Sequence, residues 1–200
     1  MIKSPILLTC IALLLPLFIA CSGGKATDIG TSANKVAGSV SPGETVLNFL
    51  EWYKNNQERL VNINLIHNST PSEDTTKLYA VNFEGTEHYL DELKKSGYVS
   101  EKYLESWRDY FNHAEQNFKD NPQFDGPPDY FDYDFVMLSQ DFMEELEELN
   151  KTNVSKEQID SNTALVVLTF KVSLTKMSYQ LSLVEGKWQI DDIENTTGQE

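Results

Sequence analysis

The chain has little cysteine and histidine, and this narrows the chemistry open to it. Its 200 residues contain two cysteines, Cys10 and Cys21, and three histidines. Because both cysteines lie in the first 21 residues, ahead of the expected folded domain, we expect no disulfide, thiolate nucleophile or cysteine metal site in that domain. His67, His88 and His113 lie far apart and share no metal-ligand spacing.

The motifs of several enzyme classes are also absent. The sequence has no G-x-S-x-G elbow, no H-E-x-x-H zinc motif, no glycine-rich phosphate loop and no dinucleotide fingerprint. Basic residues are few, since 16 Lys and Arg stand against 31 Asp and Glu, for a formal net charge of −15. Such a charge argues against nucleic acid as a partner and favours cationic partners or divalent ions. We expect no cofactor.

Residues 1–20 have the pattern of a bacterial export signal. Lys3 supplies a positive start, and the apolar run from Ile6 to Phe18 is shorter than the roughly 20 residues that a membrane-spanning helix needs. The run ends in Phe18-Ile19-Ala20-Cys21, which resembles the lipobox of bacterial lipoproteins. The resemblance implies cleavage before Cys21 and lipid attachment to its thiol. A simple secretory signal and an uncleaved anchor are the alternatives.

Residues 21–40 are expected to comprise the lipidated cysteine and a flexible tether, because they are rich in small and polar residues and lack a large apolar cluster. Ser22 after the cysteine favours an outer-membrane address. We therefore expect a cell-envelope protein that is held by lipid on Cys21 and faces the periplasm. Its partner there would be another envelope protein or a small ligand.

Residues 41–195 are expected to form one domain, followed by a short tail at 196–200. Helical signals come first. Ser41, Pro42 and Glu44 have the spacing of a capping box with proline at the first helical position, followed by apolar residues at helical spacing.

Further elements follow in the middle of the chain. A short strand is predicted at Leu78–Phe83 and a second helix at Thr86–Ser96, which Gly97 ends. A third helix begins after Ser100, and a short acidic one covers about Gln140 to Asn150.

The last forty residues change to a period of two, typical of strands with one buried face. The alternating apolar residues are Leu168, Phe170, Val172, Leu174, Met177, Tyr179, Leu181 and Leu183. Glu185-Gly186 is predicted to turn the chain into a last strand, which makes a C-terminal antiparallel meander. Helices followed by such a sheet predict an α+β domain with the helices packed on the sheet.

Four segments carry a resemblance to known proteins. Residues 49–53 (FLEWY) and 186–190 (GKWQI) resemble the nuclear transport factor two-like, or cystatin-like, cone fold. Residues 89–98 and 126–134 resemble uncharacterised lipoproteins of Bacteroidetes-type bacteria. The resemblance spans about 41 to 193 and implies a curved antiparallel sheet whose helices help to enclose a pocket. It implies no assigned activity.

The most unusual stretch is residues 124–141, which combines aspartates with aromatic residues. Carboxylates two to three residues apart on a loop can gather around calcium, and Asp129, Asp132 and Asp134 are the candidates. The order of ligands in an EF-hand is absent, so no metal is expected. The alternative is an aromatic-anchored loop that covers one end of the sheet and turns its acids to water.

A pocket enzyme, either a hydrolase or an isomerase, would need a buried carboxylate with a raised pKa or a suitably placed tyrosine. The candidates are Asp132, Asp134, Asp141, Tyr98 and Tyr103. Asp141 has a competing role, because an aspartate just before the fourth helix can cap it.

Three tryptophans, Trp52, Trp107 and Trp188, are candidates for the lining of a ligand pocket, although large aromatic residues often only supply buried area. The absent motifs, the tether and the acidic charge together favour a non-enzymatic, lipid-anchored binding or interaction module of unknown molecular function. The small pocket enzyme is the alternative.

Overall fold

A computed structural model describes residues 40–69 and 78–199 of the chain. The predicted leader, the lipidated Cys21 and nearly all of the tether therefore lie outside the described residues. Within the two described ranges, no helix combines the length and apolar character needed to cross a membrane.

The described chain forms four α-helices and six β-strands. The helices are α1 (Pro42–Val61), α2 (Phe83–Lys95), α3 (Glu101–Asp120) and α4 (Met143–Glu147), and the strands are β1 (Ile66–Ser69), β2 (Leu78–Val81), β3 (Asn153–Asp160), β4 (Thr163–Thr169), β5 (Lys176–Val184) and β6 (Lys187–Asn195). Strands β1 and β2 form one antiparallel pair, and β3 to β6 form an antiparallel sheet in chain order. The predicted α+β class is confirmed.

Side-chain caps set the starts of α1 and α3, as the sequence predicts. The Ser41 hydroxyl accepts from the Glu44 N–H at 3.2 Å, and the Glu44 carboxylate accepts from the Ser41 N–H at 2.9 Å. This is a complete capping box. Ser100 caps α3 by accepting from the Tyr103 N–H at 3.3 Å.

Helix α2 begins at Phe83, three residues before the predicted start. The reason is Asn82, whose side-chain oxygen accepts from the Gly85 N–H at 3.1 Å and caps the helix. Gly85 is required here because a Cβ would collide with the carbonyl oxygen of Asn64. At the other end, Gly97 has a φ of +75° and ends the helix, as predicted.

The core lies where α1 and α3 pack against the sheet. Helix α1 contacts β4 and β6, and α3 contacts β6. One face of each helix and one face of the sheet are buried at this junction, by Val46, Phe49, Leu50, Tyr53, Tyr103, Leu104, Phe111, Ala164, Val166, Leu168, Met177, Tyr179, Leu181 and Ile190. Each large apolar side chain buried in this way stabilises the fold by about 1.5–3 kcal/mol.

The predicted alternation through Leu174 is wrong beyond Thr169. Strand β4 ends there, and Lys171 to Thr175 form a turn in which the Phe170 N–H donates to the Thr175 carbonyl at 2.9 Å. Leu174 has a φ of +60° and is 66% exposed. A period of two in the sequence cannot distinguish such a turn from a continued strand.

Strand β3 was not predicted. All eight of its residues are exposed, and it pairs on one side only, with β4. Its large apolar residues, Val154 and Ile159, do not alternate, so the pattern of a half-buried strand is missing. Two predictions nearby are confirmed: β2 lies within the strand predicted at Leu78–Phe83, and Glu185-Gly186 turns the chain between β5 and β6 with positive φ at both residues.

Helix α4 is shorter than predicted, and Asp141 does not cap it. The helix starts at Met143, its N-cap residue is Phe142, and no side chain caps it. Asp141 lies one residue before the N-cap position, and the chain ahead of it forms a turn in which the Asp134 N–H donates to the Ser139 carbonyl at 3.0 Å.

A candidate ligand-binding cleft

A cleft of about 520 Å³ opens between α1, α2 and residues 127–142, which we call the wall segment. Its volume lies in the range of small-molecule sites. Tyr53, Leu60 and Tyr89 are buried at its floor, whereas Val61 and Asp132 are exposed at its rim. The cleft therefore has a closed end and an open end.

Aromatic rings anchor the wall segment, which contains no helix or strand. Phe131 stacks on Phe111 of α3 with ring centres 5.8 Å apart and planes 15° apart. Phe135 is buried and packs on Trp107 at 5.0 Å. The aromatic rings of the wall therefore pack on the apolar stripe of α3.

Two tyrosine hydroxyls add a polar link between α3 and the wall segment. The Tyr133 hydroxyl donates to the Tyr110 hydroxyl at 2.7 Å, which donates in turn to the Tyr130 carbonyl at 2.9 Å. Tyr130 has a φ of +70°, an unusual value for an aromatic residue. The hydrogen bond to its carbonyl helps to hold this strained backbone in place.

Asp134 is the main polar anchor of the wall segment. One carboxylate oxygen accepts from the Val136 and Met137 N–H groups at 2.9 and 2.7 Å. The other oxygen accepts from the Tyr53 hydroxyl of α1. The Leu138 N–H closes the turn by donating to the Asp134 carbonyl at 2.8 Å. Asp134 thus shapes a turn and ties it to the first helix.

Burial controls the protonation of this pair. Burial raises the pKa of the Asp134 carboxyl above its ordinary value, although the hydrogen bonds from Tyr53 and from the backbone oppose that rise. Burial also raises the pKa of the Tyr53 hydroxyl far above its ordinary value, and the nearby Tyr89 and Asp134 reinforce the rise. Tyr53 is therefore a neutral donor at physiological pH.

Tyr89 places an unused hydroxyl on the floor of the cleft. Its side chain is 4% exposed, and the hydroxyl has no hydrogen-bond partner among the described residues. The described residues contain no fully enclosed side-chain oxygen or nitrogen that lacks a partner, so this hydroxyl is not fully enclosed, and Tyr89 lines the cleft. Burial and the charge of Asp134 raise the Tyr89 pKa, and the hydroxyl keeps its proton.

The lining of the cleft is acidic. Asp132 is exposed at the rim, where it accepts from the Gln140 side-chain amide at 3.4 Å, and Asp134 lies deeper. The described lining contains no Lys, Arg or His. Two carboxylates therefore share the cleft without a balancing cation.

The structure brings together only some of the predicted catalytic candidates. Asp132 and Asp134 share the cleft, but Asp141 is exposed near α4 and does not line it. Tyr103 is buried in the core, with its hydroxyl 3.5 Å from the Phe135 carbonyl. Tyr98 lines a separate cleft near the β5–β6 turn.

The three tryptophans are not gathered in one pocket. Trp52 stacks on Phe49 with ring centres 6.1 Å apart, and Trp107 lies in the aromatic core. Trp188 lines the same separate cleft as Tyr98. No tryptophan lines the candidate cleft. Trp52 lies in α1, Trp107 in α3 and Trp188 in β6, so the three side chains lie in different parts of the fold.

The three calcium candidates each have different hydrogen-bond partners. Asp129 pairs with Gln123 and Asp132 with Gln140, whereas Asp134 holds its own turn. In residues 40–69 and 78–199, no group of three or more His, Cys, Asp or Glu side chains is arranged to hold a metal ion.

Sequence reasoning missed Tyr53 and Tyr89 as site residues. Tyr53 falls in the apolar stripe of α1, a position that predicts a core side chain, and Tyr89 lies in a segment that carries only a family resemblance. One signal was present in the sequence. A tyrosine in an apolar stripe brings a hydroxyl that needs a partner, which a phenylalanine would not.

No family model matches the chain, and no curated protein matches it. Among solved structures, it is similar to a chain in the crystal structure of the type VI native effector-immunity complex Tae3-Tai3 from Ralstonia pickettii. The two are 17% identical, the match covers 80% of this chain and 98% of that chain, and the TM-score is 0.46. At that identity and TM-score the likeness does not bear on function.

Proposed function

We propose that the chain is a lipid-anchored protein of the cell envelope that binds a ligand or partner in the cleft and catalyses no reaction. The observation that carries the proposal is the unpartnered Tyr89 hydroxyl, which lies on the floor of an open, largely aromatic cleft. Apolar walls with a few convergent polar groups are the usual chemistry of a ligand site.

The contacts of Asp134 favour binding over catalysis. Its carboxylate already accepts three hydrogen bonds, out of about four that it can accept. A general base needs a free lone pair aimed at the proton that it removes. Asp134 is better explained as the anchor of the wall segment.

The anchor and the address remain proposals that rest on the sequence. The apolar leader and the Ala20-Cys21 junction support lipidation, and Ser22 supports an outer-membrane location facing the periplasm. Metabolic labelling with palmitate tests this directly, and labelling that persists in Cys21→Ser would exclude Cys21 as the lipid site. The cone-like curvature of the sheet, its pocket and the likeness to Bacteroidetes-type lipoproteins stay part of the same proposal.

A fragment screen by ¹H–¹⁵N NMR tests binding in the cleft. We expect bound fragments to shift the amide signals of Tyr89, Tyr133 and Gln140. Val61→Trp is a blocking variant, because Val61 is exposed at the rim and the larger side chain can fill the opening without disturbing the core. Fragments that never shift cleft signals in the folded protein would contradict the proposal.

The second candidate is a small hydrolase or isomerase, and the raised pKa of Asp134 is the observation that favours it. It predicts turnover on a panel of esters and enolisable carbonyl compounds. Activity that is lost in Asp134→Asn, with the fold retained, and kept in Asp132→Asn would establish this alternative over the binding module.

A further inference from the structure

We propose that the cleft recognises an organic cation, namely an ammonium or guanidinium group at the end of an alkyl chain such as lysine and arginine carry. The inference rests on the proposed binding function and names its ligand class. Three features of the cleft support it: charge, ring arrangement and the free hydroxyl at the floor.

The charge of the cleft is unbalanced. Asp132 and Asp134 line it, and no described basic residue does. Two cations of α1 are engaged elsewhere, because Arg59 pairs with Glu92 and the Lys54 ammonium lies 3.4 Å from the Glu147 carbonyl. A net charge of −15 also raises the concentration of cations near the surface.

The rings of the cleft stand at steep angles to one another. Phe135 meets Tyr89 at 5.9 Å with planes 77° apart, and it meets Tyr133 at 5.7 Å with planes 81° apart. The lining is therefore built from rings in different orientations and not from one flat surface. An ammonium or guanidinium group is attracted to the face of such a ring where that face is open to the cleft.

The floor of the cleft offers the hydrogen bond that a cation requires. The Tyr89 hydroxyl oxygen has no donor among the described residues and can accept from an N–H of the ligand. Asp134 lines the same cleft, so a cation bound there also lies near a carboxylate. Leu60 and Leu65 line the same cleft and provide apolar surface for an alkyl stem.

Other ligand classes fit these groups less well. A carboxylate or phosphate ligand would be repelled by the two aspartates and would find no basic residue in the described lining. A hard metal ion needs several oxygen ligands. In the part of the chain that the structure describes, no cluster of three or more His, Cys, Asp or Glu side chains is arranged to hold one.

The test is a titration of the full folded protein with four probes of similar length at fixed ionic strength. The probes are n-pentylammonium, n-butylguanidinium, neutral 1-pentanol and anionic pentanoate, and binding is followed through the amide signals of Tyr89, Tyr133 and Gln140. We expect both cations to bind at least tenfold more tightly than 1-pentanol, and pentanoate to leave the cleft signals unchanged.

Three variants show whether the cleft groups are responsible. Tyr89→Phe removes only the free hydroxyl, and Asp132→Asn removes one rim charge; each should weaken cation binding several-fold. Asp160→Asn is the matched control, because Asp160 is exposed, lies outside this cleft and carries the same charge. Equal weakening by Asp132→Asn and Asp160→Asn would reduce the effect to general surface charge and overturn the inference.

The outcomes separate this inference from the proposed function. If 1-pentanol binds as tightly as pentylammonium, cation recognition is wrong and ligand binding stands. If neither the probes nor the fragment screen shifts cleft signals, both are wrong. If pentylammonium binds as expected, a peptide with a single lysine flanked by glycines identifies the source of the cation. Tighter binding than pentylammonium indicates a protein partner, and equal binding indicates a free amine.

Discussion

The two sides of the cleft are built in opposite ways. On one side, α1 and α2 are regular helices whose apolar faces are buried. Ser41 caps the start of α1, and Asn82 caps the start of α2. On the other side, the wall segment has no helix or strand and is held by aromatic contacts and one carboxylate, Asp134.

This difference shows where the stability of the site comes from. The helical side depends on apolar area, which many residues share and which adds up gradually. The wall depends on a few polar contacts, and a buried donor that loses its acceptor there costs about 1–3 kcal/mol. Mutations on the two sides should therefore differ in size and in kind.

The largest effect is expected from Phe49→Ala on the helical side. Phe49 is fully buried between Trp52 and Tyr98, and its removal leaves a cavity that costs about 3–5 kcal/mol of unfolding free energy. Phe131→Ala is the matched change in the wall, where the ring is only half-buried, so the loss should be clearly smaller. Urea unfolding curves with similar slopes measure both, and equal losses would erase the contrast between the two sides.

A smaller loss, about 2–3 kcal/mol, is expected from Asp134→Ala in the wall. The change leaves the Val136 and Met137 N–H groups and the Tyr53 hydroxyl without their acceptor. The exposed neighbour provides the control, since Asp132→Ala should alter stability by no more than about 0.5 kcal/mol. Should the two variants unfold at the same urea concentration, Asp134 cannot be the anchor.

The smallest effect is expected in how the free energy of unfolding changes with pH. The pKa of Asp134 is raised in the folded state, so its contribution to stability is fully present below the ordinary value of 3.8 and is lost as the pH rises through the raised pKa. Asp134→Asn cannot titrate. Unfolding measured from pH 3.5 upward should show the wild type losing stability relative to this variant, and a gap that stays constant would argue against a raised pKa.

Much of the fold could be predicted because its signals are local. The capping box at Ser41, the cap at Ser100 and the turn at Glu185-Gly186 each need only a few adjacent residues. Strand β3 could not be predicted in this way, because it is an exposed edge strand whose place depends on pairing with β4. The strand predicted through Leu174 is the opposite case, because a local pattern there predicts a strand where the structure has a turn.

The site was predictable only in part. Asp132 and Asp134 stood out because acids among aromatic residues are unusual, but nothing in their spacing separated the buried one from the exposed one. The partner that ties Asp134 to the first helix lies far along the chain, since Tyr53 is 81 positions before it. Only the fold brings such residues together, so a sequence pattern within one segment could not reveal them.

The position of α1 also determines the order in which the fold can be completed. This helix packs on β4 and β6, and its Gly43 N–H donates to the Glu157 carboxylate at 3.1 Å across 114 positions of the chain. During synthesis from the N-terminus, the strands that cover its apolar face are made last. Closing so long a loop is slow, and until it closes the apolar stripe is open to aggregation. The first helix of the described residues is therefore covered only after the C-terminal strands have been made.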